Sequence, residues 1–89
     1  MINTEIPVVN KLGLHARAAS KLVKLTAGFE SSIKLIGRQQ EVDAKSIMGI
    51  LMLAATQGTV LTLIVEGIDE QAATNAVRSM FEDCFGEGE

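Results

Sequence analysis

Segments with strand-like and helix-like hydrophobic periodicity alternate along this chain, and their order restricts the folds that it can adopt. The order is strand, helix, strand, strand, helix, strand, helix, and the 89 residues contain no repeat or linker. Helices segregated on one face of a mostly antiparallel sheet accommodate this order. We therefore predict a single α+β domain, an open-faced sandwich over residues 1–89, with a frayed tail over residues 86–89.

Spacing and turn residues set the boundaries of the predicted elements. Residues 2–9 alternate as a strand does, and Pro7 lacks the N–H that an inner strand needs, which predicts an edge strand. Residues 60–66 are apolar on both faces, which indicates a central strand. The other predicted elements are a helix over 16–27 that buries Ala16, Ala19, Leu22, Val23 and Thr26, a hairpin of strands over 32–36 and 41–43, a short helix capped by Ser46, and a helix from Glu70 to Cys84 or Phe85 with Asp69 as its N-cap.

The composition argues against several classes of protein. A net charge of −3 and the lack of Trp and Tyr disfavour nucleic-acid binding, which usually needs a basic face or stacking aromatic side chains. The single Cys84 has no partner for an internal disulfide, which favours a reducing compartment. Residues 1–9 show no signal-peptide pattern, and the longest apolar run, residues 47–55, is too short to span a bilayer. We expect a soluble, cytoplasmic protein without membrane insertion.

The only histidine, His15, lies where the first strand gives way to the first helix. Gly13 supplies the permissive backbone for that turn, so His15 should lie at the first helical turn or one residue before it. The first N–H groups of a helix lack intrahelical partners and attract anions, here the groups of Ala16 and Arg17. The Arg17 guanidinium adds a fixed positive charge. An imidazole, free amides and a guanidinium together favour a phosphoryl group as the ligand.

Two surfaces near this stretch have both a structural and a functional interpretation. Arg17, Lys21 and Lys24 share a helix face, which is either an ordinary solvated face or an electrostatic rim for docking. The second helix is apolar nearly all round, so it is either buried or keeps one face for a partner. We favour a partly exposed patch, with Ile50 and Leu53 turned to the core. The patch comprises Ile47, Met48 and Leu51. Met52 belongs either to the patch or, equally well, to the core.

Two other classes of function compete with phosphoryl chemistry. A small regulatory domain could hold a metabolite at the sheet edge, which would leave His15 inert. A metal-binding module needs several ligands, whereas His15 and Cys84 lie far apart in the sequence and form no ligand set, so we expect no metal and no cofactor.

Several motifs together resemble the phosphocarrier protein HPr family of the bacterial phosphoenolpyruvate-dependent phosphotransferase system. They are Gly13-Leu14-His15-Ala16-Arg17 before an amphipathic helix, Lys45-Ser46 opening a short helix, and Thr56-Gln57-Gly58-Thr59 before a strand. The resemblance covers essentially the whole chain. It implies a four-stranded antiparallel sheet with the first strand at an edge, covered on one face by three helices.

The resemblance also implies roles for individual residues. His15 would take a phosphoryl group on Nδ1 from phospho-Enzyme I and pass it to a IIA component, as a carrier rather than an enzyme. Arg17 would neutralise the phosphoryl oxygens. Ser46 would be the site that an HPr kinase/phosphorylase modifies in some bacteria. We expect a monomer whose partners dock on one surface, and the predicted docking residues are Ala19, Lys21, Lys24, Ile47, Met48 and Leu51.

Three positions depart from the family pattern. Relatives often carry Pro at the position of Ala18, a polar residue at that of Leu12 and a cation at that of Gly49. The apolar second helix and the Cys-Phe-Gly-Glu ending look more like the carriers of proteobacteria. Some of those belong to the nitrogen-related branch, often called NPr, so the sugar-uptake and regulatory branches both stay open.

Overall fold

The computed structural model describes residues 1–87, and its elements follow the predicted order. A short 3-10 turn, Cys84–Gly86, follows the last helix. The strands are β1 (Ile2–Pro7), β2 (Ser32–Gly37), β3 (Gln40–Asp43) and β4 (Val60–Glu66), and the helices are α1 (Ala16–Thr26), α2 (Ile47–Met52) and α3 (Glu70–Glu82).

The four strands form one antiparallel sheet in the order β1-β4-β2-β3. Strand β1 lies at an edge, where Pro7 pairs with Val60 and its missing N–H costs no inner ladder bond. Strand β4 lies between β1 and β2, which confirms the prediction of a central strand. Both placements follow from features visible in the sequence, the missing N–H of Pro7 and the apolar residues on both faces of β4.

One face of the sheet is buried under the three helices, and the side chains of β4 alternate accordingly. Leu61, Leu63 and Val65 are at most 1% exposed, whereas the residues between them are half-buried. Helix α2 contributes Ile50 and Leu53 to the same core, as predicted. Helix α1 contributes Ala18 rather than the predicted Ala16, which is exposed at the first turn.

A two-residue turn joins β2 and β3. Arg38 and Gln39 both have positive φ, 51° and 64°, and Gly37 pairs with Gln40. This is the backbone of a type I′ turn, whose twist matches that of the strands. The turn lacks the Asn-Gly pair that usually marks it, so the register was not predictable from sequence; strand pairing imposes the conformation here.

Asp69 is the N-cap residue of α3, as predicted, but its side chain does not cap the helix. Asp69 makes no side-chain cap hydrogen bond; its carboxylate instead accepts hydrogen bonds from the Ser31 hydroxyl and from the backbone N–H groups of Ser31 and Glu30, the latter two at 2.9 and 2.8 Å. The Ser31 hydroxyl and the Glu30 N–H lower the pKa of Asp69, since they favour the ionised form. The carboxylate therefore ties the start of α3 to the segment before β2.

The described residues that follow α3, up to residue 87, form a 3-10 turn and its cap. Phe85 and Gly86 have positive φ, 55° and 76°, so the backbone reverses towards α1. The Phe85 ring is 2% exposed and packs on Phe81 with 4.9 Å between the ring centroids. Lys21 Nζ donates to the Phe85 carbonyl at 2.7 Å. The predicted frayed tail is therefore wrong for residues 86 and 87, and residues 88–89 lie outside the described part of the chain.

Candidate functional site

The loop between β1 and α1 is a folded unit. Asn10 is fully buried, and its Nδ2 donates to the Gly13 carbonyl at 2.8 Å. Gly13 has φ 68°, and an added Cβ would lie 2.4 Å from the carbonyl oxygen of Ala55. The next N–H, that of Leu14, donates to the same oxygen at 3.0 Å. This close approach fixes the backbone that enters α1.

His15 is the N-cap residue of α1, as the sequence predicted. Its backbone is extended, with φ −75° and ψ 178°, and its side chain is 28% exposed. The backbone N–H of Arg17 donates to His15 Nδ1 at 3.3 Å. Because an N–H can only donate, Nδ1 carries no proton in this arrangement, and the neutral ring is protonated on Nε2.

The other ring nitrogen of His15 contacts the end of the chain. Nε2 forms a hydrogen bond with Oε2 of Glu87, whose Oε1 accepts from Asn10 Nδ2 at 3.1 Å. Burial raises the pKa of Glu87, but the hydrogen bonds from Asn10 and His15 and the nearby charge of Lys21 lower it by more. The pKa of this carboxyl therefore lies below its usual value, and the group is ionised at neutral pH.

A cavity of about 330 Å³ adjoins the Glu87 carboxylate. Three cationic residues and the Glu87 carboxylate contribute to its wall, so the charge around it is net positive. Arg17 and Lys11 are exposed, whereas Lys21 is half-buried because it bonds to the Phe85 carbonyl. The lining residues are Lys11, Leu12, Arg17, Lys21, Gly86 and Glu87.

A second candidate site lies at the start of α2. Ser46 is the N-cap, and its hydroxyl accepts from the Gly49 N–H at 3.1 Å. Ile47 and Met48 follow directly and are 41% and 69% exposed, while Leu51 is half-buried. A Cβ at Gly49 would lie 3.2 Å from Val42 Cβ, so a larger residue there requires a small shift of its neighbours.

One predicted docking residue is in the wrong place. Ala19 is fully buried and belongs to the core, because it lies on the face of α1 that packs inward with Leu22. It cannot touch a partner directly. The other predicted docking residues are exposed or half-buried: Lys21, Lys24, Ile47, Met48 and Leu51.

Within residues 1–87, no group of three or more His, Cys, Asp or Glu side chains is arranged to hold a metal ion. No helix in the same range is long and apolar enough to cross a bilayer.

Comparison with known proteins decides the family. A family model described as the PTS HPr component phosphorylation site matches residues 2–83. The chain belongs to the PTS HPr family. The phosphocarrier protein HPr of Cupriavidus necator is 47% identical over 89 residues, 100% of both chains, and the phosphocarrier protein NPr of Shewanella violacea is 36% identical over 86 residues, 97% of this chain and 94% of that one. A crystal structure of HPr from Thermoanaerobacter tengcongensis has a TM-score of 0.93 at 42% identity and covers 98% of each chain.

Membership of the HPr family gives the chain the role of a phosphoryl carrier in the phosphotransferase system. The local unit of Gly13, His15 and Arg17 was found from sequence, since its members are neighbours. Asn10 and Glu87 were missed as site residues. The available signal was Phe85-Gly86 just beyond α3, because an apolar residue beside a helix-ending glycine often returns the chain to the core.

Proposed function

We propose that His15 is the residue that carries the phosphoryl group, on Nδ1, receiving it from phospho-Enzyme I and passing it to IIA components. The observation that supports this proposal most directly is the position of the imidazole. It is 28% exposed, caps α1, and has Nδ1 directed at the Arg17 N–H. A neutral imidazole is a nucleophile at neutral pH, and Nδ1 presents its lone pair once the long hydrogen bond from the Arg17 N–H is released. Two different partner proteins must reach it, which requires this exposure.

The phosphoryl oxygens would be bound by groups at the start of α1. The N–H groups of Ala16 and Arg17 are among the first of the helix and have no carbonyl acceptor in the preceding turn, and that of Arg17 makes the long hydrogen bond to Nδ1. The helix dipole and the Arg17 guanidinium add positive charge at the same end. Such an exposed set of donors stabilises the phosphoryl group enough to accept it and weakly enough to release it, which a carrier requires.

Partner docking would use the exposed part of α2 beside the basic residues of α1. Met48 offers a flexible apolar surface that adapts to more than one partner. Ile47 and Leu51 extend this surface, and Lys24 lies in the last turn of α1. The Lys21 side chain, also a predicted docking residue, is restrained because its Nζ bonds to the Phe85 carbonyl.

Regulation through Ser46 is part of the same proposal. An HPr kinase/phosphorylase would place a dianion at the N-terminus of α2, where the local backbone tolerates negative charge. The added charge would stand next to the exposed Ile47 and Met48 and would weaken docking by repulsion and bulk. We expect no refolding, so Ser46→Asp should leave the amide NMR shifts of the sheet almost unchanged; large shifts there would contradict this mechanism.

The remaining parts of the proposal concern the context in which the carrier works. We propose a single-domain, cytoplasmic monomer that is not an enzyme in the turnover sense. The higher identity to an HPr, 47%, than to an NPr, 36%, favours the HPr branch over the nitrogen-related one. Size-exclusion chromatography with light scattering tests the monomer.

Incubation with phosphoenolpyruvate and Enzyme I tests the proposed function. We expect intact-mass spectrometry to find one added phosphate that is acid-labile and base-stable, at the sole histidine. The matched control is His15→Asn, because Asn preserves an N-cap for α1 but has no nucleophilic nitrogen. A folded His15→Asn variant that still gains phosphate, or a wild-type protein that gains none, would refute the proposal.

A further inference from the structure

The Glu87 carboxylate is held in place by several independent contacts. Asn10, which is fully buried, uses both hydrogens of its Nδ2, one for the Gly13 carbonyl and one for Glu87 Oε1. The preceding turn is anchored by the buried Phe85 ring and by Lys21, whose Nζ bonds to the Phe85 carbonyl. The side chain of Glu87 is only 12% exposed as a result.

The two ring nitrogens of His15 have different partners. Nδ1 faces a donor, the Arg17 N–H at 3.3 Å, and Nε2 faces an acceptor, the ionised Glu87 carboxylate. This pair of contacts selects one tautomer of the neutral ring, with its proton on Nε2 and its lone pair on Nδ1. Because the two nitrogens point to opposite sides of the ring, the carboxylate does not cover Nδ1, which is engaged by the long hydrogen bond from the Arg17 N–H.

We propose that Glu87 is a positioning residue for phosphoryl transfer: its carboxylate holds the ring proton on Nε2 and keeps the Nδ1 lone pair available. This inference rests on the proposed function of His15 as the phosphoryl acceptor. A carboxylate that orients a reactive or metal-binding imidazole through its second nitrogen is a common arrangement in other sites. Here it is supplied by a residue 72 positions away in the sequence.

The transfer step balances without moving a proton at His15. The Nδ1 lone pair leaves its long hydrogen bond with the Arg17 N–H and forms the bond to phosphorus, while the bond from phosphorus to the donor breaks and leaves its electron pair on the donor. Nε2 keeps its proton, so the ring acquires positive charge, which the Glu87 carboxylate offsets. Arg17, Lys11 and Lys21 around the neighbouring cavity compensate the negative charge of Glu87 towards an incoming phosphoryl group.

Nitrogen-15 NMR of the histidine-labelled protein gives a readout that does not depend on transfer. The chain has one histidine, so a single imidazole is observed. In the wild type we expect a slowly exchanging proton on Nε2 and a pyridine-type Nδ1. Glu87→Ala should lose the slowly exchanging proton, because water replaces the carboxylate. Glu87→Gln should retain it, since the amide oxygen still accepts, but without the charge.

The rate of phosphoryl uptake by His15 tests whether the Glu87 carboxylate assists transfer. We expect Glu87→Ala to reduce the single-turnover rate from phospho-Enzyme I about tenfold, the low end for losing a hydrogen bond to a charged group. Glu87→Gln should fall between Glu87→Ala and the wild type. The matched control is Glu82→Ala, which removes the same charge from an exposed position in α3 and should leave the rate unchanged.

Failure of this inference is distinguishable from failure of the proposed function. If wild-type His15 gains phosphate but Glu87→Ala matches Glu82→Ala in rate or keeps the Nε2 proton signal, the positioning role is wrong. A rate that rises in Glu87→Ala would also overturn it and would show that the carboxylate obstructs transfer. If wild-type His15 gains no phosphate at all, both proposals fall.

Discussion

Gly13→Ala is the substitution whose cost the structure defines best. Gly13 has φ 68°, a conformation that costs an L-residue about 1–2 kcal/mol. The added Cβ would lie 2.4 Å from the Ala55 carbonyl oxygen and 3.0 Å from the Thr56 Cα, both backbone atoms. The loop must move by about 1 Å to restore ordinary contact distances of about 3.5 Å. That movement disturbs the bond from the Leu14 N–H to the same carbonyl, 3.0 Å long.

The expected loss of unfolding free energy is about 2–4 kcal/mol. It combines the left-handed backbone with a weakened backbone hydrogen bond, worth about 0.5–1.5 kcal/mol net and more if the buried groups stay unpaired. A domain of this size has about 5–13 kcal/mol of stability in total. The variant should therefore fold but unfold at a clearly lower urea concentration. Phosphoryl uptake should also slow, because His15 lies two residues further on.

Two other glycines serve as matched controls. Gly58 has φ 93° but no atom within 4 Å of an added Cβ, so Gly58→Ala should lose only the conformational part, about 1–2 kcal/mol. Gly28 has no positive φ, and its Cβ would lie 3.4 Å from the Leu25 carbonyl oxygen. Gly28→Ala should therefore be neutral or stabilise by up to about 1 kcal/mol. Equal losses for Gly13→Ala and Gly58→Ala in urea titrations would refute the argument from close approach.

Three further substitutions test other parts of the structure. Ser46→Ala should lower the free energy of unfolding by about 1 kcal/mol and Ser46→Asn by much less, measured in urea, because Asn still caps α2; equal losses would exclude a capping role. Asp69 has a pKa lowered in the folded state, so its stabilisation is complete above the unfolded pKa and declines as the pH falls through the folded one. Asp69→Asn should therefore flatten the acid end of a stability–pH curve, and an unchanged slope would contradict the assignment. Met48→Glu should weaken Enzyme I docking, measured in a transfer titration, with little change in stability. The control is Ile68→Glu, at a 91% exposed residue just after β4, which should change neither docking nor stability.

The parts of the fold that depend on neighbouring residues were predictable from sequence. The amphipathic α1, the Ser46 cap and the apolar β4 each follow from local spacing, and all three agree with the structure. Asp69 shows the limit of local reasoning. It is the N-cap residue of α3, as predicted, but its carboxylate accepts from three donors of residues 30 and 31 instead of capping the helix. A contact spanning 38 positions in sequence carries no periodic signal, so the local preference was the only one visible.

The candidate site depends both on local sequence and on contacts between residues that are distant in sequence. Local sequence determines that His15 caps a helix and that Nδ1 faces an N–H donor. The group that contacts Nε2 depends on the path of the chain after α3. The composition of that segment does not reveal this path. Two glycines and two acidic residues end the chain, a pattern typical of a solvated tail. The reversal at Phe85 overrides that pattern, because burying an aromatic ring outweighs the freedom that a few terminal residues lose. The same burial brings Glu87 to Nε2, so the environment of the His15 imidazole depends on how well the distant Phe85 ring is packed.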